Sequence, residues 1–374
     1  LMALGQEPGE SPEAPFNMAY VSLRLAASSN GVSQLHGSVS RRMFAHLWPG
    51  ISLEEVPIGS VTNGVHGPSW VFPEMARVLA RYVAPDWPMA TRERWAGVEA
   101  IPDEELWSLR QRSRERLVLF GRKRLRQAAL ARGAGEPDVA WTDEVLDPEV
   151  LTVGFARRFA PYKRATLLVL DQERFRRLLT SQERPLQFVF AGKAHPADDL
   201  GKQIIRTIVE FSAHPDIRNR IVFIEDYDFV VARMLYQGCD VWLNTPWRPL
   251  EACGTSGQKA ALNGALNCSI LDGWWEEMFD GENGWAIPSA EVCQDPGLRD
   301  RVEAEALFGL LERQIAPLFY RRDDGGIPKG WLQRIKVSLR SLGPQVTASR
   351  MLRDYVEKIY GPTSAAARPL SREV

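Results

Sequence analysis

The sequence predicts an α/β protein built on a doubly wound parallel sheet. Three observations support this. From residue 150 onward, short apolar runs of buried-strand type alternate with segments of helical periodicity, the pattern of parallel strands covered by helices on both faces. The chain has 374 residues and is 45% hydrophobic, enough to bury a large core and to hold two domains. Its glycine-rich and charged clusters fall where an apolar run gives way to a helical one, and ligands of such sheets gather at the carboxyl ends of the strands.

Taken in order, residues 1–15 are rich in Gly, Pro and Glu and read as a loop. Residues 16–27 suit a helix, and 30–40 form a turn entering a second helix that carries Arg41 and Arg42. Residues 61–70, V-T-N-G-V-H-G-P-S-W, are turn-rich. Residues 102–132 read as a helix, with Leu106, Leu109, Leu117, Phe120 and Leu125 at near-helical spacing and a dense basic face from Arg110 to Arg126. That face has no interleaved aromatic platform and the net charge is −1, so it reads as solvated or packed against missing chain, with no nucleic acid as partner. A polar linker over 134–147 sets the boundary between a mostly helical domain, 1–145, and a sheet domain, 146–345. Expected strands are 151–156, 186–191, 220–224, 240–244 and 268–271. Expected helices are 164–179, 198–212, 230–237 and 258–266, followed by closing helices over 301–319 and 331–342. Trp274, Trp275, Phe279 and Trp285 read as core. The last segment, 346–374, is expected to hold a helix crossing back to the first domain and a disordered tail beyond Pro362.

Cys239, Cys253, Cys268 and Cys293 show no metal-type pairing and read as reduced thiols of a cytoplasmic protein. No signal peptide or membrane-length apolar run occurs, so no membrane partner is expected.

The chain is organised around residues 249–264, P-L-E-A-C-G-T-S-G-Q-K-A-A-L-N-G. A buried strand, a tight turn and a helix start meet there. Gly254, Thr255, Ser256 and Gly257 allow close backbone approach, and their amides fall where a helix leaves its first N–H groups unpaired. One turn further on, Lys259 is an isolated cation on a small, apolar face, as covalent capture of a phosphorylated aldehyde requires. Close packing and a snorkelling lysine account for the same residues, and both readings stay open on spacing alone. The second cluster is A-R-R-F-A-P-Y-K-R over 156–164. Arg157, Arg158, Lys163 and Arg164 have no acid nearer in sequence than Asp171, which favours a bound anion over an exposed loop. Lys193, in G-K-A-H-P after an expected strand, reads first as an ordinary helix-flanking charge and second as a ligand, and Asp226 as an N-cap.

The string E-A-C-G-T-S-G-Q-K-A-A-L-N-G-A-L followed by L-D-G-W-W closely resembles the cofactor-lysine segment of the α-glucan (glycogen, starch, maltodextrin) phosphorylases, particularly their shorter bacterial and archaeal branch. Residues 157–164 resemble the family's R/K-R-x-x-x-Y-K-R, and N-G-V-S-Q-L-H resembles a segment that sets a histidine against the reacting sugar. The resemblance runs from Phe16 to about Tyr360. It implies a GT-B-type glycosyltransferase with a Rossmann-like C-terminal domain and a helical remnant of the N-terminal domain. The implied reaction is retaining phosphorolysis of terminal α-1,4-linked glucose to glucose 1-phosphate.

It further implies pyridoxal 5′-phosphate on Lys259, its phosphate held by Thr255, Ser256, Arg157 and Lys163 beside the aromatic Tyr227 and relaying protons to inorganic phosphate. Arg158 takes the substrate phosphate. Glu251, Cys253, the Gly254 amide, Tyr162 and Asn63 meet sugar hydroxyls, and the His36 carbonyl faces the anomeric carbon. Cys253 stands where serine is commoner and Arg157 where many relatives have lysine. The family's charged pair after the proline is absent, replaced by Ser69 before Trp70, and His66 has no assigned place. Because Leu1 is not a start methionine, the chain is expected to be a fragment with weak cofactor binding and little activity. A homo-oligomer is left open. The alternatives are a nucleotide-sugar glucosyltransferase such as a glycogen synthase, or a non-catalytic glucan-binding remnant.

Overall fold

The computed structural model describes residues 2–7, 9–11 and 13–367. Strands β1 (Ser29–Gly31) and β2 (Ile58–Ser60) form a small parallel pair. The main sheet holds β3 (Leu151–Arg158), β4 (Leu186–Lys193), β5 (Ile221–Ile224), β6 (Val241–Asn244), β7 (Leu266–Ile270) and β8 (Gly284–Ile287). Their order is β5-β4-β3-β6-β7-β8 and every pairing is parallel. β3 and β4 are buried along their whole length except for the last residue of each, as strands covered on both faces must be. The order reverses between β3 and β6, so a crevice opens beyond the carboxyl ends of these two strands.

β8 falls outside the expected set because G-W-A-I is four residues long and follows a Gly- and Asn-containing turn; it is strand because β7 offers it an edge. The helix expected over 164–179 begins later. Arg164 is left-handed at φ 48° and Leu167–Asp171 is a 3-10 turn, so the α-helix spans Gln172–Thr180. The helix expected over 258–266 starts earlier, at Thr255, and stops at Ala261, because Gly264 at φ 78° turns the chain into β7. Gly361–Ala367 is helical where a disordered tail was expected, and 368–374 lie outside the described residues. Trp274, Trp275 and Trp285 are core.

The basic helix, Asp103–Ala131, departs from the expectation of a solvated face: Arg110 and Arg114 are fully buried. Arg114 Nη1 donates to Asp240 Oδ1 at 2.6 Å, and Arg110 Nη2 lies 3.6 Å from the same oxygen. Arg110 Nη1 also donates to the carbonyls of Gln237 and Asn263, both at 2.8 Å. The other Asp240 oxygen accepts the Thr152 amide at 3.0 Å. One carboxylate thus joins the helix to the starts of β3 and β6. The helix Ala348–Tyr355 docks on the first part of the chain. Val65 donates to Val346 O and Ala348 to Val65 O, both at 2.8 Å, and Arg350 donates to the carbonyls of Thr62 and Asn63. Replacing Asp240 by Ala strands two buried guanidinium groups, and the expected loss of about 3–5 kcal/mol is read as a lower denaturant midpoint; a change below 1 kcal/mol, roughly that of a surface pair, would contradict this account.

Candidate active site

β3 ends in two arginines whose side chains meet different surroundings, because successive strand residues face opposite ways. Arg157 is buried and Arg158 is exposed. Arg157 donates to Asn244 Oδ1, the last residue of β6, and to Glu251 Oε2. Lys163, buried in the turn after β3, donates to the same Glu251 oxygen at 2.7 Å. Burial pushes the Lys163 pKa down to about 8 and Arg157 pushes the same way, while Glu251 holds it up. Burial raises the Glu251 pKa, but Arg157 and Lys163 outweigh it and keep the carboxyl below the usual range. Its Oε1 makes no hydrogen bond to the described residues.

The premise that these cations lack acidic partners is therefore corrected. Glu251 neutralises Arg157 and Lys163, and Asp300 and Glu303 neutralise Arg164, all from far along the chain. The Arg158 side chain has no hydrogen bond or ion pair to the described residues. The Tyr162 ring lies 4.5 Å from Lys163 Nζ, and burial raises the Tyr162 pKa.

Glu251 is held by an acid that sequence reasoning missed. Asp272 Oδ2 accepts the Glu251 amide at 3.0 Å and Oδ1 the Gly273 amide at 2.8 Å. Beside it, Trp274 N donates to Cys253 O at 3.0 Å. Gly273 is required there: a Cβ would lie 2.3 Å from Cys253 O. Asp272 was legible only as part of L-D-G-W-W, because its bond reaches back 21 residues.

Gly254, left-handed at φ 87°, precedes the helix Thr255–Ala261. The Thr255 and Ser256 amides at its start have no acceptor among the described residues, while the Ser256 hydroxyl takes the Trp242 indole N–H at 3.2 Å. Lys259, half-buried, projects against an aromatic wall, its Nζ 4.1 Å from the Trp70 ring centre and 5.6 Å from that of Tyr236. It has no carboxylate or hydrogen-bond partner there, and burial lowers its pKa. Tyr236 OH lies 3.3 Å from Tyr227 OH, which ties Tyr227 to the same wall. Trp70 and Tyr236 were not singled out, since neither spacing nor charge marks them.

The first part of the chain reaches this edge at two points. Ser33 Oγ, the N-cap of the helix Gln34–Phe44, donates to Ala252 O at 2.7 Å. Gln258, buried behind Lys259, donates to Asn63 O at 2.8 Å and lies 3.9 Å from Cys253 Sγ. Burial raises the Cys253 thiol to about 12, so it stays protonated. The His36 ring turns back on its own loop, Nδ1 accepting the Val32 amide at 3.1 Å, and burial lowers its pKa. His66 is exposed, 2.7 Å from Ser69 Oγ.

A family model of carbohydrate phosphorylases matches residues 8–281, most of the chain. The chain belongs to the carbohydrate phosphorylase family. Its fold is thereby of the GT-B class, with the six-stranded sheet as the Rossmann-like part. The glycogen phosphorylase of Mycobacterium tuberculosis is 51% identical over 368 residues, covering 98% of this chain and 42% of that protein. That of Aquifex aeolicus is 43% identical, covering 96% and 51%. The maltodextrin phosphorylase of Thermococcus litoralis is 40% identical, covering 96% and 42%. The chain therefore spans about half the length, or less, of these carbohydrate phosphorylases. No helix among the described residues is long and apolar enough to cross a membrane.

The charge balance around Glu251 has a measurable sign. Lys163 has a folded pKa below its ordinary value, so the cost of its buried charge acts in full below pH 8 and is relieved as pH rises from about 8 towards 10.5. Glu251→Gln removes the group that holds this pKa up. The pH midpoint of Lys163 acylation, followed by mass spectrometry, is expected to fall by about one pH unit; an unchanged midpoint would detach Glu251 from Lys163.

Proposed function

We propose that this chain carries the cofactor and phosphate half of an α-glucan phosphorylase, a glycosyltransferase that cleaves terminal α-1,4-linked glucose from glycogen or maltodextrin with inorganic phosphate, with retention, and releases glucose 1-phosphate. The observation that carries the reading is Lys259: a half-buried amine without an ionic partner, set on the Trp70–Tyr236 wall one helical turn beyond two unbonded amides. Burial lowers the pKa of this amine, which eases the loss of the proton that covalent attachment of an aldehyde requires.

The residues present fit pyridoxal 5′-phosphate. Lys259 would hold it covalently, with Tyr227 on the wall beside it. The Thr255 and Ser256 amides, Arg157 and Lys163 would hold its phosphate. When bound, that group supplies a phosphate whose second ionisation lies near neutrality.

The chain's own residues then divide the work. Arg158, free of internal partners, takes the substrate phosphate by charge-assisted hydrogen bonds. Lys163, buried beside Arg157 and bonded to Glu251, sets a positive charge against neighbouring phosphate oxygens. Glu251 Oε1, the Gly254 amide, Cys253, Tyr162 and Asn63 meet sugar hydroxyls. The His36 carbonyl, at the start of its helix, faces the positive charge that develops at the anomeric carbon, while its ring fixes the Val32 turn. The free thiols suit a reducing cytoplasm.

The test is phosphate-dependent release of glucose 1-phosphate from maltoheptaose by the pyridoxal-phosphate-loaded protein, joined to borohydride trapping. Trapped cofactor is expected on Lys259 and in no other peptide, and Lys259→Ala is expected to lose both the trap and the activity. Activity with a nucleotide sugar in place of phosphate, or trapping elsewhere, would overturn the reading.

A further inference from the structure

Arg158 does not stand alone at the sheet edge. β3 and β4 are in register to their ends, pairing Arg157 with Gly192 and Arg158 with Lys193. Residues paired across parallel strands project from the same face, ~5 Å apart, the spacing of neighbouring strands. Both side chains are exposed, and neither makes a hydrogen bond or ion pair with the described residues. The backbone at this point is tightly set. Lys193 O accepts the Phe159 amide at 2.9 Å. A Cβ on Gly192 would lie 2.0 Å from Arg157 O and 2.5 Å from the Phe159 ring, so only glycine lets the two strands stay paired to the last residue.

Two like charges held side by side repel each other and destabilise the pairing unless something neutralises them. The surrounding acids are committed elsewhere. Glu251 serves Arg157 and Lys163, Glu225 serves Arg132, Asp198 caps Gly201, and Asp199 pairs with Lys202. Asp226, just past β5 at φ 53°, forms no ion pair among the described residues. His195 uses its ring to hold the Ala197 amide. The pair also sits where ligands of a doubly wound sheet gather, beside the reversal of strand order.

We propose that Lys193 is a second ligand for the substrate phosphate, forming with Arg158 a two-cation clamp for a phosphate dianion, whether free or as a sugar ester. The proposal rests on the reading of Arg158 as the substrate-phosphate residue and extends it to a residue on the neighbouring strand. Arg158 supplies forked, directional donors and Lys193 a mobile point charge.

Calorimetric titration of inorganic phosphate into the pyridoxal-phosphate-loaded protein tests this, with Lys202→Ala as a surface-charge control. Lys193→Ala is expected to weaken phosphate binding about threefold to fivefold and to flatten its salt dependence. Lys193→Arg should restore the affinity, and the Lys259 cofactor band should be unchanged throughout. If Lys193→Ala binds phosphate like the unaltered protein while Arg158→Ala binds it more weakly, the clamp is wrong and the reading of Arg158 stands. If neither variant changes the affinity, or the unaltered protein binds no phosphate, both fall. A loss in Lys193→Ala that Lys193→Arg does not repair excludes an electrostatic contact and overturns the clamp.

Discussion

Two cations, Arg157 and Lys163, lie buried within reach of one oxygen of Glu251, at the edge where the central parallel strands end. Buried charges are tolerable only when paired, and here two cations share one carboxylate, so Glu251 by itself balances only one of them. The backbone around them is arranged to hold Glu251 still. Asp272 grips its amide, Trp274 grips Cys253, and Gly273 lets the two loops touch. Removing Glu251 would leave Arg157 and Lys163 facing each other without a counter-ion. The cation that Glu251 does not balance gives a dianionic ligand an electrostatic reason to enter.

The site also depends on elements from both parts of the chain. Ser33 caps the helix bearing His36 and bonds to the loop bearing Glu251, so one hydroxyl sets the distance between two candidate sugar-facing segments. Gln258 does the same between Asn63 and the Lys259 helix. Arg110 holds the Asn263 carbonyl, and the Asn263 amide in turn donates to the carbonyls of Lys259 and Trp70. The wall behind Lys259 is therefore anchored to the buried Arg110–Arg114–Asp240 network rather than to a surface loop. A change far from the lysine can reach it through that chain of polar contacts.

Placement at the reversal of strand order explains why so many unusual residues converge. β3 and β6 separate there, and their ends meet in one contact, between Arg157, the penultimate residue of β3, and Asn244, the last of β6. The alternation of a strand then sends Arg158 outward, where it is free to meet a ligand. One dipeptide supplies a buried, paired cation and an exposed one with no side-chain partner among the described residues.

Much of this was legible in the residues alone. The alternation of apolar runs and helical segments gave the parallel sheet, because strands buried on both faces need continuous apolar stretches. The strings at 157–164 and 251–259 marked the site, because close approach to an anion restricts residue type locally. What only the tertiary structure decided lies in contacts between residues distant in sequence. The acids that neutralise Arg157, Lys163 and Arg164 come from much later in the chain. The basic helix reads as a surface feature until Asp240 is seen to bury Arg110 and Arg114. Lys193 reads as a stray charge until strand register sets it beside Arg158. Local sequence carries backbone preference and hydrophobic period, but charge compensation is set by distance in space, and only the folded chain brings those partners within range.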